Sequence, residues 1–483
     1  MGKRLHVTFS ATLTAALTSG LLTLTGGTAS AAITVPKPDF NGDGFADTAI
    51  SAPQTTVNGR ASAGTVAVVY GSATGLDKTR RQVISQDTSG IPGTAESGDE
   101  FGWDQSAGDM DGDGYTDLVV VQPNERIGST GDAGTVTILW GSAAGLTSGS
   151  DLKGPFPENH HWFGGVVAVG DYNGDGKKDL AVNGTPGINI FYGPLTRTGQ
   201  AAKRQDLDPY AQARMDVGEV MIAGNVTGDA ADELLMMGNY ETSGGDYVDR
   251  SILYRGGTSG LAPAGKLAGG YTAAIGDINK DGYGDVVTGH AFEKRSWSPD
   301  GALGGAITVT YGSATGLSTT RTPVKITQDT AGIPGGGEAD DHFGWDVAIG
   351  DVNGDGYGDV AVGSEGEDLG GVLDAGLVTV LRGSSTGLTG TGAVAYEQNT
   401  SGIPGGNEPR DSFGFAVGLP DANADGRSEL LVGSRDENAG TGMVWYLRSS
   451  ATGGLSTSGV TYFSQSGLGG PGGFSSFGSR FAH

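Results

Sequence analysis

The chain has 483 residues, no cysteine, 90 glycines and a formal net charge of −26, so it lacks the clustered basic residues that binding to nucleic acid or anionic lipid requires. Glycine at this level without a collagen period points to many tight turns between short strands. Without cysteine, any staple in the fold must be something other than a disulfide.

In chain order, a basic start at Lys3 and Arg4 leads into an apolar, Thr-rich run that ends in Ala29, Ser30 and Ala31, the small-x-small pattern of a cleavage site. Residues 1–31 are expected to be a secretory signal peptide, and residues 32–483 the secreted, extracellular mature chain. Removing Lys3 and Arg4 leaves 27 basic against 55 acidic residues, a net charge of −28. No later segment approaches the roughly 18 uninterrupted apolar residues of a spanning helix, and no hydrophobic tail follows, so no membrane anchor is expected.

After a short ITV stub at 33–35, the stretch DFNGDGFAD begins at 39. It recurs as DMDGDGYTD at 109, DYNGDGKKD at 171, DINKDGYGD at 277 and DVNGDGYGD at 351, with weaker copies NVTGDAADE at 225 and DANADGRSE at 421. The spacings of 70, 62, 54, 52, 74 and 70 residues fall in the range of propeller blades and larger solenoids. Each unit has one internal order. A Phe-Gly pair lies eight residues before the first Asp, at Phe101, Phe163, Phe343 and Phe413, followed by a short apolar run such as WDVAIG. Beyond the acidic loop come a run such as DVAVGS, a run such as GTVAVVYGS, and a last short run such as VKITQDT. These four segments are rich in Val, Ile, Thr and Tyr, bounded by Gly, and too short for helices. Several are apolar on consecutive positions, which suits sheets covered on both faces. The predicted fold is all-β: a seven-bladed β-propeller of four-stranded blades. The last stretch, SSFGSRFAH, starts an eighth Phe-Gly segment at Phe477 with no acidic loop after it, so it is expected to supply the first strand of the N-terminal blade and leave no open sheet edge.

In D-x-N-x-D-G-x-x-D, oxygen-bearing side chains at positions one, three, five and nine can converge on one cation when the backbone curls, with Gly at six permitting the turn and a carbonyl from position seven. Hard oxygen donors without His or Cys specify calcium better than zinc or copper. Solvated Asp-Gly turns would not repeat a nine-residue spacing. An EF-hand needs a carboxylate at position twelve and flanking helices, whereas Ile50, Val120, Val182, Thr288, Val362 and Val432 stand there and continue strands, so EF-hand and dockerin readings fail.

The Phe-Gly start, the acidic loop and the G-x-V-x-V-x-x-G run together resemble the FG-GAP repeats of the integrin α-subunit propeller, over essentially the whole mature chain. The resemblance implies calcium in the loops joining the first and second strands of a blade. Carried onto this sequence, the ligands are Asp39, Asn41, Asp43, Phe45 and Asp47; Asp109, Asp111, Asp113, Tyr115 and Asp117; and Asp171, Asn173, Asp175, Lys177 and Asp179. They continue with Asp277, Asn279, Asp281, Tyr283 and Asp285; Asp351, Asn353, Asp355, Tyr357 and Asp359; and, more weakly, Asp421, Asn423, Asp425, Arg427 and Glu429. About six sites are expected, since the fourth copy has Asn225, Thr227, Asp229 and Glu233 with Ala230 in place of the turn glycine.

Integrin ligand binding depends on a second subunit, so receptor function does not transfer; the expected function is a calcium-stabilised, monomeric extracellular binding or adhesion module that uses the rim opposite the acidic loops, with an unidentified protein or glycan as partner. Because propellers also host glycan-cleaving enzymes and an FG-GAP propeller occurs in a secreted phospholipase, the alternative is a secreted hydrolase or lyase acting on a glycan or phosphodiester. No G-x-S-x-G elbow, HExxH helix or Cys-His pair is present. Outside the repeats stand His160 and His161, then Glu241 with Asp246 and Asp249, and the stretch HAFEKRSWSPDG. The last is the candidate ligand loop, with His290, Glu293, Arg295 and Trp297. Strand order would place it on the rim opposite the acidic loops.

Overall fold

The computed structural model describes residues 37–483, apart from residues 129, 153–162, 185–186, 214, 245–246 and 451 and the side chains of residues 212–219. Residues 1–31, expected to be a signal peptide, and the pair His160 and His161 lie outside the described residues. Seven antiparallel sheets form the blades of a β-propeller, with the strands of each in chain order. The sixth blade is typical: Phe343–Gly350, Asp359–Ser364, Leu377–Arg382 and Thr389–Tyr396. In the fifth, a two-residue hairpin of Gly312–Ser313 and Gly316–Leu317 interrupts the sequence before the outermost strand.

Burial explains the composition of each strand. Every residue of Thr65–Tyr70 is buried, because adjacent blades cover both faces of a middle strand, and consecutive apolar side chains are therefore tolerated. The outermost strand Asp77–Ile84 is mostly exposed and carries Lys78, Arg80 and Arg81. The apolar clusters lie between blades rather than within them. One joins Ala49, Val66 and Val68 of the first blade to Phe101, Leu118 and Leu139 of the second.

The Phe-Gly pair has a backbone cause. Phe413 N–H donates to Ala375 O across the blade boundary at 3.0 Å. A Cβ on Gly376 would sit 2.3 Å from the Phe413 backbone, and one on Gly414 would sit 2.6 Å from Leu377 O; both glycines have positive φ. Only glycine allows the two backbones this close. Phe413, Phe101, Phe343 and Phe477 are fully buried at four such boundaries.

The N-terminal sheet, with strands Thr48–Ala52, Thr65–Tyr70 and Asp77–Ile84, has three strands of its own. Residues 478–482 lie along its inner edge: Gly478 N–H donates to Ser51 O (3.0 Å), Ser51 N–H to Arg480 O (3.0 Å) and Ala482 N–H to Ala49 O (3.2 Å). Phe477 packs into the cluster shared by the first and last blades with Ile50, Val69 and Tyr446. Deleting residues 476–483 is expected to lower the urea midpoint sharply, and Phe477→Ala alone to cost about 3–5 kcal/mol. Urea unfolding followed by tryptophan fluorescence checks both.

Candidate metal loops and aromatic mouth

Each acidic loop leads into the second strand of its blade, all but the first of them from that blade's first strand, and is curled by its own side chains. In 109–117, Asp109 accepts N–H bonds from Gly112 (2.7 Å), Asp113 (3.1 Å) and Gly114 (2.9 Å), and Asp113 accepts one from Tyr115 (3.0 Å). The N–H of position seven likewise reaches the position-five carboxylate from Phe45, Lys177, Tyr283, Tyr357 and Arg427. Position nine is a clamp. Asp117, fully buried, accepts Met110 N–H (2.8 Å) with one oxygen and Gly141 N–H, just beyond the third strand, with the other (2.7 Å). Asp47, Asp179, Asp285 and Asp359 repeat both bonds.

Burial pushes Asp47, Asp117, Asp179 and Asp285 up to about 7, and the carboxylates of their own loops add to the rise. A cation beside each would reverse that cost. In the second loop, Asp109, Asp111 and Asp117 each bring an oxygen to within 4.8 Å of the others. This all-oxygen donor set on a flexible loop fits a hard divalent ion. Basic side chains approach several loops from outside: Arg80 meets Asp43 at 2.7 Å, Arg197 meets Asp111 and Asp113 at 2.6 Å each, and Lys37, Arg255 and Arg321 reach Asp421, Asp229 and Asp281.

The first strands line an axial cavity of about 400 Å³, and at its mouth, on the rim opposite the acidic loops, aromatic rings gather. Trp103, Trp345 and Phe415 each follow a Phe-Gly pair. Trp345 meets Tyr271 at 4.5 Å and Phe415 at 5.3 Å between ring centroids. Arg435 lies over Phe415 at 4.0 Å, and Arg480 lies over Trp103 at 5.6 Å while pairing with Asp104 at 3.1 Å. Asp346, beneath the rings, ties three blades together by accepting Val347 N–H (3.0 Å), Val417 N–H (2.8 Å) and the Thr272 hydroxyl (3.1 Å). The residue before Phe-Gly is left-handed without being glycine at Glu100, His342, Ser412 and Ser476, a strained conformation that clusters at functional sites.

The ligand-loop candidates separate. His290 ends the strand Asp285–His290, is 2% exposed, and bonds the Thr288 and Thr308 hydroxyls at 3.2 and 3.0 Å. Burial pulls it down to about 4, so it is neutral and faces inward. Glu293 pairs with Arg295 at 3.2 Å and accepts Asp340 N–H at 2.9 Å. Trp297 is 40% exposed and rests edge-on against Phe292 at 5.4 Å, and Phe292 in turn meets Tyr271 at 5.8 Å. Trp297 therefore belongs to the outer end of the aromatic mouth. Asp249 is raised by burial, and Asp246 lies outside the described residues.

A second cavity, about 630 Å³, opens beside the mouth and is lined by Asp340, His342, Glu365, Asp374, Glu408 and Asp436 among others. His342 Nδ1 lies 2.9 Å from Glu365, which raises the imidazole. The aromatic residue after Phe-Gly in three repeats is a faint signal for the mouth, and nothing in the repeats points to His342.

An FG-GAP-like repeat model matches residues 109–182, and an FG-GAP repeat model matches 34–69 and 343–381. The chain carries FG-GAP repeats. It is 30% identical to integrin alpha-7 of Homo sapiens over 199 residues, 39% of this chain and 14% of that protein. It is 34% identical to phosphatidylinositol-glycan-specific phospholipase D of Mus musculus over 120 residues, 24% of this chain and 14% of that one. These matches span about a seventh of each relative's length. Among solved structures, an Agrocybe aegerita lectin bound up with recognition of non-reducing terminal N-acetylglucosamine aligns at a TM-score of 0.37 and 14% identity, covering 74% of this chain and 81% of its own, too distant to bear on a ligand.

On the mouth side of the blades, glutamines two residues beyond an outermost strand donate to glutamates of the next blade: Gln86 to Glu125 (2.6 Å), Gln328 to Glu367 (2.6 Å) and Gln398 to Glu437 (2.7 Å). Burial pushes all three glutamates from 4.5 up to about 7. Because the folded state holds these protons more tightly than the unfolded chain, stability falls as pH rises from about 4.5 to about 7. In saturating calcium, Glu437→Gln is expected to raise stability at pH 8 by on the order of 1–3 kcal/mol and to leave it nearly unchanged at pH 4. Urea midpoints of the two proteins at both pH values test this.

Proposed function

We propose that the protein is a secreted extracellular binding or adhesion module, with calcium in its acidic loops as a structural element and its ligand, a protein or glycan, at the aromatic mouth. The observation that carries this reading is the run of rings from Trp297 through Phe292, Tyr271 and Trp345 to Phe415 at the axial cavity. Flat apolar faces beside the Asp104–Arg480 pair suit a ligand with both apolar and hydrogen-bonding surface. Support also comes from the likeness to integrin alpha-7. In the test, Trp345→Ala is expected to abolish binding on a glycan and extracellular-matrix protein array while leaving the circular dichroism unchanged. Binding retained in that variant, or lost instead on substituting exposed acidic-loop residues, would place the ligand elsewhere.

The calcium part has its own readout. Affinities at extracellular sites are typically about 0.1–1 mM, so in millimolar calcium each loop would add about 0.4–1.4 kcal/mol, and several loops together several kcal/mol. Chelation is expected to lower the melting temperature by many degrees; identical melting in excess chelator and in millimolar calcium would refute a structural role.

A hydrolase or lyase is the second reading, favoured by the meeting of His342 and Glu365 in a carboxylate-lined cavity. A raised imidazole paired to a carboxylate is a fitting general acid or base. It would show as turnover in a panel of glycoside and phosphodiester substrates that is lost in His342→Ala.

A further inference from the structure

Strand register places one residue of the third strand opposite each position-nine clamp, one step beyond the pairs Thr48↔Val69, Leu118↔Leu139, Leu180↔Phe191, Val286↔Thr310 and Val360↔Leu381. In the first, second, third and fifth blades it is aromatic: Tyr70, Trp140, Tyr192 and Tyr311. In the sixth it is Arg382, and in the fourth and seventh Arg255 and Arg448.

The sixth loop, 351–359, keeps the repeat's spelling in full, but its oxygens are engaged. Arg382 Nη1 donates to Asp359 Oδ2 at 2.8 Å, and Asp359 is 0% exposed while the arginine side chain is 18% exposed. The Asn353 amide donates to Asp355 Oδ2 at 2.9 Å. Lys280, from the fifth blade, donates to the Asp355 carbonyl at 2.9 Å and lies over Tyr357. A divalent ion entering here would face a guanidinium held on a solvent-shielded carboxylate, where like charges repel strongly. Arg80 and Arg197, 45% and 48% exposed, meet their loops at the surface and can swing into water at little cost. The fourth blade offers a precedent: its loop has lost position one to Asn225, and Arg255 pairs with Asp229 at 3.2 Å.

We propose that Arg382 is a built-in counter-cation that keeps the sixth loop from taking a divalent ion, so a copy that keeps the acidic stretch in full is closed by the protein's own charge. The inference rests on calcium occupying the other loops and narrows the six sites expected from sequence. Isothermal titration of calcium into the full mature chain tests it. Asp355→Ala, at an exposed position, is expected to leave the number of bound ions unchanged, whereas Asp175→Ala in the third loop lowers it by one. Arg382→Tyr, the residue of the first, third and fifth blades, is expected to raise the number by one, and adding Asp355→Ala to it to remove the gain; Arg382→Met serves if the tyrosine variant does not fold. A count that falls by one on Asp355→Ala in the native background, or a folded Arg382 variant with an unchanged count, overturns the proposal. If Asp175→Ala has no effect, the calcium reading of the loops falls instead, and the gain in the Arg382 variants alone decides the role of this arginine.

Discussion

The buried carboxylate at position nine is the interaction on which the blades depend. Taking a charged group out of water is costly unless it is paired and hydrogen-bonded, and here two backbone N–H groups, one from its own loop and one from just beyond the third strand, each engage one carboxylate oxygen. The same bonds pin three strands in register and hold the acidic loop curled, so its oxygens converge before any ion arrives. Fold and ion chemistry thus share one atom pair per blade. Where the acid lengthens to glutamate, the clamp is rebuilt: Glu233 accepts Val226 and Thr227 N–H, and Glu429 accepts Ala422 N–H and the Ser449 hydroxyl.

The strands, the ring and the acidic loops were legible in the sequence because each is local and repeated. The spacing from Phe-Gly to Asp recurs, and the middle strands announce their double burial by consecutive apolar residues. Trp103, Trp345 and Phe415 were not, because a residue after Phe-Gly reads as the first of a strand, and only the closing of the ring brings three such residues, far apart in sequence, to one mouth. His290 misled for the opposite reason. An unusual stretch suggested a surface loop, but the strand extends one residue into it and buries the imidazole against threonines. Arg382 is invisible in a scan of the acidic motif itself, since its effect arises from the neighbouring strand's register.

The two rims consequently differ in physical character. On one, buried carboxylate clamps fix the backbone; on the other, aromatic rings gather around paired carboxyl groups, and four of the residues before Phe-Gly are left-handed. Such a division lets the mouth change residue by residue while the opposite face keeps its geometry.

The meeting of the two chain ends has a kinetic consequence. Ser476 hydrogen-bonds Gln54 across 422 residues of chain, and bringing such distant segments together costs about 5 kcal/mol in loop-closure entropy before any contact rewards it. Blades made of adjacent hairpins can form early and locally, whereas the seam that joins the first to the last is the most non-local event in the molecule. Until it forms, the arc carries two unsatisfied edges, each a template for pairing with another chain. The seam is therefore where assembly is slowest and where a stalled chain would be most prone to aggregate.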